Sequence, residues 1–260
     1  MQKSKRKFWA EKEKDIIQTK YPTSTRGVME KLLPDRTWDS IKAMAKKMKV
    51  RRISLHIDQI KSNPWKLLED TPEALYWVGF ILADGYISKT NRLQIGLSIK
   101  DLGHLKKFAK FIEKETVCKS QCGAKCSIAV MHQDAIAQLK NKYQISHNKT
   151  ICPPDPKLFD SLPDKLFWPL VIGFIDGDGC IQNQTNRTDF RISIKCHSSW
   201  VPFLELVAKK LPKAPQPYIN NSGYANLSIA SKKSVSFLRT ESLKIHNSIM
   251  HRKWDKISYP

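Results

Sequence analysis

Two apolar runs of the chain end alike. "WVGFILADGYI" spans Trp77 to Ile87 and "WPLVIGFIDGDGCI" spans Trp168 to Ile181, and each has helical character and closes in Asp-Gly. The first is bounded as a helix: Thr71 is a cap, Pro72 suits the first helical position, Glu73 complements the positive helix end, and Gly85 is expected to turn left-handed after Asp84. Pro169 fits the second run only if that helix effectively starts near Trp168. Beyond each run the period changes. "RLQIGLSIK" and "FRISIK" predict strands, "DLGHLKKFAKFIEKE" and "WVPFLELVAKKL" predict helices, and "SIAVMHQ" and "NLSIASK" predict short strands. That order gives an α+β fold with an antiparallel sheet in each half.

The halves repeat. "VGFILADGYI" matches "IGFIDGDGCI" at an offset of 94; "TNR" at Thr90 to Arg92 recurs at Thr185 to Arg187, and "SIK" at Ser98 to Lys100 recurs at Ser193 to Lys195, both at an offset of 95. "HNKT" around Lys149 and "HRKW" around Lys253 close the two units. Such a repeat predicts two units of about 90 residues related by a pseudo-twofold axis. Gly79 and Ala83 share one helix face, as do Gly173 and Gly177, and small residues four apart let two helix backbones approach closely. Paired there, the helices would bring out Asp84 and Asp178 side by side.

Upstream, the hydrophobic pattern predicts three short helices. "FWAEKEKDIIQTKYP" turns Trp9, Ile16 and Ile17 inward; "STRGVMEKLLP" is capped by Ser24 or Thr25 and ends at Pro34; "RTWDSIKAMAKKMKVRR" puts Trp38, Ile41, Ala45 and Met48 on one face. "ISLHIDQIKSNPWKLLED", residues 53–70, lacks sustained periodicity and is read as a linker. The division is therefore 1–52, a linker at 53–70, and halves at 71–158 and 159–260.

Charge narrows the partner. Lys and Arg number 45 against 24 acids, a formal net charge of +21. Residues Met1 to Arg52 alone hold 16 basic residues against 6 acidic ones. Such an excess points to a polyanion, and double-stranded DNA is the leading candidate. No apolar run approaches the roughly 20 residues of a membrane-spanning helix, and the basic N-terminus lacks an apolar signal core, so an intracellular protein is expected. The six cysteines are expected to be reduced. Cys118, Cys122 and Cys126 fall at intervals of four without a second knuckle, which favours a hairpin with small, partly buried thiols over zinc.

The N-terminal segment, with its Trp, the "YP" after helix one and the "RT..SIK" entry to helix three, resembles a Myb/SANT-like helix-turn-helix. The resemblance implies a third helix in the DNA major groove, with Arg36, Lys42, Lys46 and Lys49 as contacts and Arg51 and Arg52 reaching phosphates.

The two Asp-Gly helices pose a chemical conflict. A carboxylate at a helix C-terminus lies beside the negative end of the macrodipole, and two such ends together repel unless a proton or cation intervenes. Hard divalent cations held by carboxylates and phosphate oxygens resolve it. Residues 71–260, with both motif copies, resemble the LAGLIDADG homing endonucleases. The resemblance implies two αββαβ halves meeting at the motif helices, Asp84 and Asp178 as ligands of Mg2+ or another divalent cation such as Mn2+, and Lys149 and Lys253 as catalytic residues that help polarise water and offset transition-state charge. The sixth motif position is Leu82 in one copy and Asp176 in the other, so Asp176 is left out of the metal ligands. Basic residues of the strand regions, Arg92, Lys100, Arg187, Arg191 and Lys195, are expected on DNA. The implied function is a monomeric, site-specific, double-strand DNA endonuclease. Its rivals are a non-catalytic transcriptional regulator and an RNA maturase that binds intron RNA.

Overall fold

The computed structural model describes residues 8–22, 24, 26–50, 62–114, 118–119, 123–183, 189–213 and 215–257. The chain divides into two compact units, Met1–Gln59 and Ile60–Pro260.

The first unit is three short helices, α1 (Glu11–Lys20), α2 (Arg26–Leu32) and α3 (Trp38–Lys47). Its core is Ile17, Met29, Leu33, Ile41 and Ala45, with Trp9, Ile16, Trp38 and Met48 packed partly buried against it. The inward faces thus follow the helical period. Thr37 caps α3, accepting from Ser40 N–H at 3.3 Å. The helix is shorter than its sequence suggests: Lys49 adopts φ 57°, the left-handed conformation that closes a helix, so it stands past the helix end rather than on its face.

The second unit begins before residue 71. Pro64–Leu68 form a 3-10 turn with Leu67 buried in the large core, and Asn63 N–H donates to the Ile112 carbonyl at 2.6 Å. The later part of the expected linker therefore belongs to this unit.

Each half of the unit runs helix, two strands, helix, two strands, helix. The first has α4 (Pro72–Asp84), β1 (Gly85–Ile87), β2 (Leu93–Ser98), α5 (Leu102–Phe111), β3 (Cys118–Lys119), β4 (Lys125–Val130) and α6 (Gln133–Lys142). After a short α7 (Lys157–Asp160), the second has α8 (Asp164–Asp178), β5 (Gly179–Asn183), β6 (Phe190–His197), α9 (Val201–Lys210), β7 (Tyr218–Ile219), β8 (Tyr224–Ile229) and α10 (Lys232–Lys244), and α11 (His251–Trp254) follows. The sheets are antiparallel, ordered β1-β2-β4-β3 and β5-β6-β8-β7. The αββαβ order is present, with a two-residue edge strand and a closing helix added in each half. One face of each sheet is apolar and buried: Ile95, Ile128 and Val130 in one, Ile192, Ile194 and Leu227 in the other.

Register corrects the repeat. Gly85 pairs with Ile95 and Gly179 with Ile194, so the first strands are offset by 94 but their partners by 99. Ile95 pairs with Ile128 and Ile194 with Leu227, again 99 apart. The recurrence of "SIK" at 95 is therefore coincidental. Lys100 corresponds to Ser199, and Arg92, just before β2, corresponds to Arg191 at the equivalent place in β6. Five extra residues of the second half lie in its first hairpin.

Candidate active site

The helices α4 and α8 carry the site, and glycine sets their distance. A Cβ on Gly79 would stand 1.9 Å from the Leu170 carbonyl oxygen, and one on Gly173 would stand 1.9 Å from the Tyr76 carbonyl oxygen. One on Gly177 would meet the Ala83 Cβ at 2.3 Å. No side chain fits at these places, so the backbones touch. The contact at Gly177 joins the two C-terminal ends, and Asp84 and Asp178 leave the pair together. Thr71 caps α4 as expected, accepting from Ala74 N–H at 3.2 Å. α8 starts at Asp164 and runs through Pro169, earlier than the proline suggested; the buried ring costs that helix one hydrogen bond.

Gly85 and Gly179 are not left-handed. Their φ values are −76° and −91°, extended backbone that opens β1 and β5 directly. Glycine is required there because a Cβ would lie 2.6 Å and 2.5 Å from the carbonyl oxygens of Ile81 and Ile175.

Two lysines close these helix ends. Lys149 Nζ donates to the carbonyls of Leu82 and Ala83, both at 2.7 Å. Lys253 Nζ donates to the carbonyls of Asp176 at 2.5 Å, Gly179 at 2.7 Å, Ile175 at 3.1 Å and Gly177 at 3.4 Å. The last turns of a helix leave carbonyls without amide partners, and an ammonium there satisfies them while cancelling the negative dipole end. That is how a carboxylate is tolerated at this end of each helix. Lys253 is buried and Lys149 half-buried; loss of hydration holds both below the ordinary lysine pKa, opposed at Lys149 by Asp178 and Asp84 and at Lys253 by Asp176 and Asp84.

Asp84 and Asp178 both reach solvent. The protein around them still removes part of their hydration, which raises both carboxyls. Asp178 is pushed up to about 6, first by that desolvation and then by the charge of Asp84; at Asp84, Lys253 and Lys149 oppose the rise. Asp178 thus feels Asp84, and both acids feel both lysines.

Asp176 is different. It is 1% exposed and accepts three hydrogen bonds, from Tyr76 Oη at 2.7 Å, Met250 N–H at 2.8 Å and Trp254 Nε1 at 2.8 Å. These partners take three of its acceptor positions. Tyr76 and Trp254 were missed from sequence, because nothing local marks an aromatic in an apolar helix as the donor to a buried carboxylate.

The expected DNA contacts divide. Lys42, Lys46 and Lys49 of the first unit are exposed, and Lys42 pairs with Asp39 at 2.7 Å. Arg36 is instead a structural residue: its side chain is 6% exposed, it bonds Glu13 through Nε and Nη2 at 2.7 Å each, and it lies over Trp9. Its guanidinium is occupied within the domain and is withdrawn as a DNA contact. Arg92 and Lys100 are exposed at the ends of β2, and Arg191 and Lys195 stand on the open face of β6, with Lys195 4.8 Å over the Tyr224 ring. Arg51, Arg52 and Arg187 lie outside the described residues, as do Thr25 and Cys122. Cys126 lies in the β3–β4 hairpin, buried, its thiol directed to the Leu97 and Ser98 carbonyls.

No family model matches the chain, and no curated protein matches it. Similar solved structures include the LAGLIDADG meganuclease I-AabMI bound to uncleaved DNA, at 14% identity over 75% of this chain and 87% of that one, TM-score 0.49. The I-LtrWI LAGLIDADG homing endonuclease bound to target DNA matches at 13% identity over 72% and 84%, TM-score 0.43. The LAGLIDADG homing endonuclease I-GzeII in complex with its DNA target matches at 11% over 76% and 84%, TM-score 0.42. Among the described residues, no helix is long and apolar enough to cross a membrane.

Proposed function

We propose that the chain is a site-specific DNA endonuclease that cuts both strands at the paired C-terminal ends of α4 and α8. The observation that carries this reading is the pair of solvent-reaching carboxylates, Asp84 and Asp178, one from each half, beside two capped helix ends. Exposed basic residues on and beside the two sheets supply the phosphate contacts, and the motif's resemblance to LAGLIDADG homing endonucleases agrees. Having both halves in one chain suits a monomer on an asymmetric site, with the N-terminal helices adding contacts through Lys42, Lys46 and Lys49.

The donor set fits a hard divalent cation. Asp84 and Asp178 offer oxygens alone, both raised in pKa by lost hydration and Asp178 also by the charge of Asp84, and two carboxylates leave room for water and phosphate oxygens, as Mg2+ prefers. Such a cation, when bound by Asp84 and Asp178, supplies charge neutralisation and an acidified water for phosphodiester hydrolysis. The chain's own residues do the rest. Lys149 and Lys253 neutralise the carbonyl ends so that the acids stay available. Arg92, Lys100, Arg191 and Lys195 hold the backbone by charge.

The test is incubation of the chain with a randomised duplex library in Mg2+, followed by sequencing of broken ends. Double-strand breaks at one long site, absent with Asp84→Asn and Asp178→Asn, are expected. Specific binding without breaks would establish the transcriptional regulator instead, and binding confined to structured RNA would establish the maturase.

A further inference from the structure

The short helix α11 is held at both ends by one side chain. Met250 is its cap residue and Trp254 its last, and the Asp176 carboxylate accepts the main-chain N–H of the former and the indole N–H of the latter, both at 2.8 Å. Between them lies Lys253, whose ammonium reaches the carbonyl of Asp176 itself at 2.5 Å. Tyr76, from the opposite helix of the pair, donates to the same carboxylate at 2.7 Å, fixing it from the other side. Among the described residues, the first half shows no such device. Leu82 takes the place of Asp176, Lys149 lies in a turn, and its ammonium meets two carbonyls rather than four.

We infer that Asp176 is a positioning residue, one that clamps α11 and so places the Lys253 ammonium on the end of α8, making the second catalytic end more rigidly ordered than the first. A buried carboxylate is costly unless its lone pairs are met. An apolar residue would take this acceptor from an indole and a helix-capping N–H, while the Tyr76 phenol would keep His104 Nε2 at 3.2 Å. Replacing Asp176 with the leucine of the other repeat would free α11, and Lys253 with it. The inference rests on the proposed endonuclease only for the meaning of Lys253, and the position of that lysine is measurable without DNA.

The experiment is reductive methylation of the intact protein with formaldehyde and cyanoborohydride, read lysine by lysine by peptide mass spectrometry, with Lys149 as the internal reference. In the unchanged protein Lys253 should label more slowly than Lys149. Asp176→Leu should speed labelling of Lys253 by about tenfold or more relative to Lys149, the scale set by losing buried hydrogen bonds that hold one segment. Trp254→Phe, which deletes a single donor, should give a smaller rise. Asp176→Asn, able to accept through one oxygen, should fall between. Should Asp176→Leu fail to fold, the other two variants decide. A role in core packing alone would lower the melting temperature while leaving the ratio of Lys253 to Lys149 unchanged, and that result overturns the inference. A chain that labels as expected but cuts no DNA would leave the clamp standing and sink the endonuclease reading.

Discussion

Lys149 Nζ lies 2.7 Å from the carbonyl oxygen of Ala83, the residue before Asp84. A lysine 65 residues away in sequence thus neutralises the helix end at which the acid stands, and Lys253 does the same for Asp178 from 75 residues away. The two are unequal in depth. Lys253→Met leaves four carbonyls near a buried methionine and should cost on the order of 2–4 kcal/mol, whereas Lys149→Met should cost about 1–2. Denaturant melts of the two variants check this, and equal losses would mean that the two ends are held alike. Both variants should also slow cleavage of the recovered target in Mg2+.

Asp84→Asn and Asp178→Asn should each abolish double-strand cleavage while leaving DNA affinity within a few-fold, because phosphate contacts elsewhere dominate binding. Linearisation of a plasmid bearing the target, beside a filter-binding titration, separates the two quantities. Wild-type linearisation by both variants would remove the acids from the chemistry.

The pH dependence has a definite sign. Asp178 binds its proton more tightly in the folded protein, at about 6 against an ordinary value of 3.8. Its protonation therefore supports the fold fully below about pH 4 and is lost as pH rises through 6. In EDTA, Asp178→Asn and the unchanged protein should melt alike near pH 4, with the variant increasingly the more stable up to pH 7. Millimolar Mg2+ should narrow that gap above pH 6. A gap that does not change with pH would contradict the raised carboxyl.

Gly173→Ala and Gly79→Ala each drive a methyl to 1.9 Å from a carbonyl oxygen of the facing helix. Backbone cannot swing aside as a side chain does, so each should destabilise the chain by about 3 kcal/mol or more, the upper end of overpacking costs. Gly27→Ala, where a Cβ meets nothing within 4 Å, is the control. Thermal melting should show a loss at the first two positions only.

The first unit should be separable. Its core of Ile17, Met29, Leu33, Ile41 and Ala45 is distinct from that of the second unit, which already includes Leu67. A chain beginning at Ile60 should fold and keep the cleavage chemistry, with weaker binding and a shorter footprint. An unshortened footprint would deny the N-terminal helices a place on DNA.

Much of this was legible in the chain. The helices ending at Asp84 and Asp178, their glycine faces and the strand alternation are local patterns, and local sterics enforce them wherever the chain goes. Gly79, Gly173 and Gly177 announced a close helix pair because only a missing side chain permits one. Other features were decided by tertiary structure alone. The true register of the repeat follows strand pairing, and three-residue identities such as "SIK" are too short to compete with the burial of Ile192 and Ile194. Arg36 looked like a DNA contact until Glu13, 23 residues away, came within 2.7 Å. Asp176 became a clamp because Tyr76, Met250 and Trp254, distant in sequence, converge on it. The sequence determined which residues are acidic, small or apolar at each helical and strand position, since these follow from periods of a few residues. Which charges are satisfied, and by whom, was decided by the fold, because a buried carboxylate or ammonium takes its properties from whatever partners the rest of the chain delivers.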